Sequence, residues 1–162
     1  MEREGEGSPR RRYLVGDQET RDRAERGSAV RGSARAFSSA VARNNGNGTF
    51  TLEPLPVEAQ FAPIYASLTG DFDGDGHTDL LVGGNFYGVT PVFGRYDASY
   101  GLMLRGSADG RLVPVDMEES NLVIDGQVRD LKSLLGPNGE RLIAVARNND
   151  KLEILRINKV QH

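Results

Sequence analysis

Nine consecutive residues constrain this chain more than any others: Asp71-Phe72-Asp73-Gly74-Asp75-Gly76-His77-Thr78-Asp79. Four carboxylates fall within them, and strand-like apolar segments flank them at 64–68 and 80–82. Acids packed this closely repel one another unless a counter-charge enters. A hard divalent cation removes the repulsion, and Ca²⁺ takes its ligands from carboxylates, backbone carbonyls and water. Gly74 and Gly76 allow the sharp turn that points successive oxygens inward. The pattern predicts a Ca²⁺ loop liganded by the side chains of Asp71, Asp73, Asp75 and Asp79 and by the backbone carbonyl of His77. The competing reading is a solvated acidic turn in which Asp and Gly serve turn geometry alone. It accounts for one Asp-Gly pair well and for four regularly placed acids poorly.

The loop is not an EF-hand. Its first residues match that pattern through Gly76, but the twelfth position is Val82, where a bidentate Glu is required. The closing acid comes earlier, at Asp79, and the flanks read as strands.

With 162 residues the chain suits one domain, and its 20 glycines and 7 prolines imply many turns and a β-rich fold. A net charge of −3 makes no case for nucleic-acid binding. The absence of cysteine excludes disulfides and thiolate–metal sites. No apolar run is long enough for a membrane span, and the N-terminus lacks the apolar core of a signal peptide.

Residues 1–36 differ from the rest, with nine arginines, no lysine and seven acids. Their composition predicts a disordered or non-native segment, with a fraying helix at 17–26. From Phe37 onward, short strands alternate with turns. Strands are expected at 38–42, 49–52, 64–68, 80–83, 99–104, 111–115, 128–135, 141–146 and 152–157. Asn44-Asn45-Gly46-Asn47-Gly48 and Gly106-Ser107-Ala108-Asp109-Gly110 are hairpin turns. A polar connector covers 116–126, and residues 158–162 form a tail.

The chain also repeats itself. Residues 42–50 align with 104–112, and the pattern returns at 146–152. Between the hairpins, 64–82 aligns with 128–145. The second unit carries Gly136-Pro137-Asn138-Gly139-Glu140 where the first has its acids, so one calcium loop is expected. Four short antiparallel strands per unit describe a β-propeller blade. The expected fold is all-β: about two four-stranded blades over 37–157, a partial propeller. A lone pair of blades leaves apolar faces exposed, so the chain is a fragment, an assembling unit or a small sandwich.

The stretch from Asp71 to Gly84 resembles the FG-GAP/VCBS repeat, which builds the propellers of integrin α-subunits and of bacterial cartilage acidic protein-like proteins. Arg43-Asn44-Asn45-Gly46-Asn47-Gly48-Thr49-Phe50 resembles a hairpin signature of those bacterial proteins, and segments 84–89 and 94–101 resemble the C-terminal part of their propellers. The resemblance implies a seven-bladed propeller in full-length members, an exported, periplasmic or cell-surface location, and calcium held by Asp71, Asp73, Asp75, Asp79 and the His77 carbonyl.

The functional expectation is a calcium-stabilised module that binds a protein or glycan ligand, completed by further blades or by self-association. The alternative is a fragment without independent activity. Catalysis finds little support. His77 and His162 are the only histidines, no Gly-rich phosphate loop precedes a helix, and Glu118-Glu119 reads as a solvated turn. Phe86, Tyr87, Tyr96 and Tyr100 suit either packing over a sheet end or an aromatic platform, the former more often. Arg95 and Asp97 suit a structural ion pair or a recognition pair.

Overall fold

The structure is a computed structural model that describes residues 37–89, 94 and 96–157. The segment 1–36, the tail 158–162 and Arg95 lie outside the described residues, and with them the helix expected at 17–26.

Among the described residues, nine strands form three antiparallel sheets. The first is the hairpin β1 (Ala40–Asn44) and β2 (Phe50–Pro54). The second is a four-stranded meander of β3 (Ile64–Gly70), β4 (Asp79–Gly84), β5 (Leu102–Gly106) and β6 (Leu112–Val115). The third holds β7 (Val128–Leu135), β8 (Arg141–Arg147) and β9 (Glu153–Arg156). One sheet thus has the full four strands expected of a blade. The other two have two and three among the described residues, where a second four-stranded blade was expected.

The strand pattern explains the layering. In β4 the run Asp79-Leu80-Leu81-Val82-Gly83-Gly84 is buried throughout, as a strand covered on both faces must be. Leu80 and Val82 point to one side and pack with Ala59, Ile64 and Leu104, with Val41 of β1 against them. Leu81 points to the other side and packs with Ile124, Val128, Leu131, Ile143 and Val145. The four-stranded sheet is therefore the middle layer.

The expected repeat is visible in the geometry. β3–β4 and β7–β8 are equivalent pairs, and each has a register shift at its start, between Ile64 and Ala66 and between Val128 and Asp130. A bulge re-aims the extra residue. The two bulge residues are Tyr65 and Arg129, aligned in the repeat, and the Arg129 guanidinium carbon lies 4.3 Å from the centre of the Tyr65 ring. Phe86 joins them, its ring 6.2 Å from that of Tyr65.

The connector after β6 is not wholly irregular. It contains the single-turn helix α1 (Met117–Ser120), ended by Asn121 in the left-handed region. A 3₁₀ turn (Val57–Gln60) opens the connector before β3 and buries Ala59. The excursion after β4 is anchored by Asn85, buried and at φ 75°. Its amide donates to the carbonyls of Ser99 and Gly126, and its Oδ1 accepts from the Ser99 N–H. Phe86 and Tyr96 pair through both backbone N–H groups. Phe86 is half-buried beside the Tyr65 ring, whereas Tyr96 and Tyr100 stay about half exposed.

Candidate metal centre

The acid-rich loop joins β3 to β4, and each acid in it has a distinct position. Asp79 opens β4 and is fully buried. Its Oδ2 accepts from the Phe72 N–H at 2.8 Å and its Oδ1 from the Gly106 N–H at 2.8 Å. One carboxylate therefore ties the loop to the start of β4 and to the end of β5. Gly106 permits the approach: a Cβ there would lie 2.1 Å from the Thr78 carbonyl oxygen.

Asp71 folds the loop around itself. Its Oδ1 accepts from Gly74 N–H at 2.6 Å and its Oδ2 from Gly76 N–H at 3.2 Å. Both glycines stand at φ 87°, a region that disfavours any side chain. Asp73 Oδ1 accepts from the Asp75 N–H, and Asp75 Oδ1 accepts from the His77 N–H. These short-range bonds follow from the spacing, since Asp side chains readily bond the backbone two residues on.

Carboxylate oxygens of Asp71, Asp73 and Asp79 all lie within 4.8 Å of one another. Two oxygens bound to one Ca²⁺ at about 2.4 Å are at most about 4.8 Å apart, so the separations suit a single ion. The donor set is all oxygen, as a hard cation requires. Among the described residues this trio can hold a metal ion. Asp75 stands outside the trio and is exposed, and His77 is half-buried.

Two arginines bracket the loop. Arg105 of β5 places Nε 2.7 Å from Asp73 Oδ2 and Nη2 2.6 Å from Glu119 Oε1 on α1. Arg141 of β8 donates to the backbone carbonyl of Asp71. Burial opposes the charged form of Asp73, but the Arg105 bond and charge and the Asp75 N–H outweigh it, and the carboxyl is held below its ordinary range. Arg105 is correspondingly raised by Glu119 and Asp73. Asp73, Arg105 and Glu119 also line a cavity of about 570 Å³ between the middle and third sheets, together with Leu81, Ile143 and Leu155.

Arg105 and Glu119 are the site residues that reading the acids alone misses. A signal for Arg105 exists in the repeat: Arg43, Arg105 and Arg147 occupy the same place in three hairpins. All three hold carboxylates, Arg43 that of Glu53 and Arg147 those of Asp150 and Glu153. In the second repeat the loop is a hydrogen-bonded turn from Gly136 to Glu140, and Asn138 N–H is taken by the Glu140 side chain.

A four-stranded antiparallel sheet between two partial copies of itself, with an acid-rich loop joining its first two strands, is a propeller-type repeat module. Comparison with protein families agrees: residues 29–82 match the FG-GAP-like repeat and residues 64–101 the FG-GAP repeat. The chain carries FG-GAP-type repeat sequence across residues 29–101. The first match begins upstream of the boundary expected at Phe37. FG-GAP repeat families are typically non-enzymatic interaction modules. No curated protein and no solved structure matches the chain. Among the described residues, no helix is long and apolar enough to cross a membrane.

Proposed function

We propose that this chain is a calcium-stabilised interaction module that works outside the cell or at its surface. The observation that carries the reading is the convergence of Asp71, Asp73 and Asp79 in one strand-to-strand loop. Bound there, Ca²⁺ supplies charge neutralisation and a fixed cross-link. Asp79 anchors the site on β4 and β5, while Asp71 and Asp73 present the loop. The Asp75 side chain and the His77 carbonyl are proposed as further ligands. The role is structural: the protein's own groups hold the ion, and the loops around it form the binding face for a protein or glycan.

Extracellular calcium modules bind at about 10⁻⁴ to 10⁻³ M. At a hundredfold excess over the dissociation constant, binding restricted to the folded state adds about 2.7 kcal/mol. Thermal unfolding in Ca²⁺ and then in excess chelator is expected to show a higher midpoint with calcium. Asp71→Asn with Asp73→Asn is expected to remove the difference. A midpoint indifferent to calcium would reject the reading and leave an acidic turn.

The partner side of the proposal is supported by the two outer faces of the stack. Phe50 and Leu52 are exposed on the first sheet, Leu134 and Ile154 on the third. Further blades, in the same polypeptide or in another copy, are the proposed cover, because a repeat unit buries its faces only against neighbours.

A further inference from the structure

We propose that Arg105 is a built-in counter-ion that sets how tightly the loop holds a divalent cation; the proposal rests on the metal reading above. Arg105 and Gly106 end β5, and together they reach two of the three converging carboxylates. Gly106 donates its N–H to Asp79, and Arg105 places its guanidinium on Asp73. The Asp73 side chain is only 11% exposed, so the charge on it is poorly screened by water. A metal ion entering the trio therefore meets a fixed positive charge one carboxylate away. It also competes with that charge for Asp73, whose second oxygen already accepts from the Asp75 N–H.

Glu119 sets the other half of the balance. It stands outside the trio, yet it takes the second arm of the guanidinium at 2.6 Å. When Asp73 turns to a metal, Arg105 keeps Glu119 as its partner and is not stranded. Arg141 adds no such competition, because its bond goes to a backbone carbonyl of the loop and not to a carboxylate. The arrangement fixes the signs. Arg105 weakens metal binding, and Glu119 strengthens it by drawing the guanidinium away from Asp73.

The test is a calorimetric titration of the full chain with CaCl₂, in wild type, Arg105→Gln, Arg105→Lys, Glu119→Gln and the Gln/Gln double variant. Arg105→Gln is expected to tighten binding roughly fivefold or more, the scale of a coupling between neighbouring sites. Arg105→Lys keeps the charge and is expected to stay near wild type. Glu119→Gln is expected to weaken binding, and the double variant to match Arg105→Gln alone, because Glu119 acts only through the arginine. A purely structural role would not give opposite signs for the two partners. Binding that is unchanged or weaker in Arg105→Gln overturns the proposal while leaving the metal site standing. No heat in any variant, with a thermal midpoint that ignores calcium, overturns both. Should Arg105→Gln fail to fold, Glu119→Gln carries the test, and an unchanged affinity there overturns the proposal.

Discussion

Asp79 is the residue on which the loop depends even without a metal. Both its oxygens are engaged by backbone N–H groups, a part-buried one from Phe72 and a buried one from Gly106. In Asp79→Asn one of those N–H groups faces an amide that is itself a donor, and an unsatisfied buried donor costs about 1–3 kcal/mol. Urea unfolding in chelator is expected to show that loss, with calcium excluded as a contributor. Gly106→Ala tests the same corner from the other side. Its Cβ would meet the Thr78 carbonyl, and overpacking of this kind costs about 1–3 kcal/mol. A variant as stable as wild type in urea would mean that β5 approaches the loop less closely than described. These effects were not legible in the acids themselves. The spacing identifies Asp79 as the last acid of the loop, but its burial follows from β5 lying alongside β4, a pairing between residues far apart in sequence.

At the scale of elements, the informative contact is between the two bulges. Tyr65 and Arg129 stand at aligned positions of the repeat, and each is re-aimed by the extra residue in its strand. A double-mutant cycle with Tyr65→Ala and Arg129→Ala is expected to give a coupling of about 0.5–1 kcal/mol, the lower part of the range for a cation over an aromatic ring. A coupling of zero would make the stack a coincidence of two neighbouring strands. The β1–β2 hairpin carries its own ion pair, Arg43 to Glu53 at 2.8 Å. The hydrogen bond and charge of Arg43 hold Glu53 below its ordinary value. A depressed folded-state carboxyl stabilises above its unfolded pKa, and that contribution is lost as the pH falls through the folded value. The urea midpoint of wild type is therefore expected to drop in acid more than that of Glu53→Gln. The pair is exposed, so the difference is small. The strands themselves were largely readable, because turn chemistry brackets each one. Residues 128–135 were placed to the residue, and β3 runs two residues past its expected end because Thr69 and Gly70 still pair with Leu80 and Asp79. The helix α1 was missed: a single turn of four residues is too short for a periodic signal.

For the whole molecule, the outer faces carry the prediction. Leu52 is 61% exposed and Ile154 is 48% exposed, so Leu52→Ser and Ile154→Ser are expected to change stability by no more than about 0.5 kcal/mol. The same substitutions are expected to reduce any concentration-dependent association seen by sedimentation, because those faces are where a neighbouring blade would pack. Loss of stability without loss of association would place the contacts elsewhere. The sequence by itself determined the local features: an acid-rich loop between two strands, hairpins at Asn-Gly and Asp-Gly turns, and a repeat that makes 64–82 and 128–145 counterparts. The loop and the hairpins depend on neighbours a few residues apart, where turn geometry and charge repulsion act directly. The tertiary structure alone decided which acids converge, that two arginines from different sheets close on the loop, and that the middle sheet is covered on both sides. Those outcomes depend on strand register and sheet stacking, which bring together residues that the chain keeps 32 and 70 positions apart.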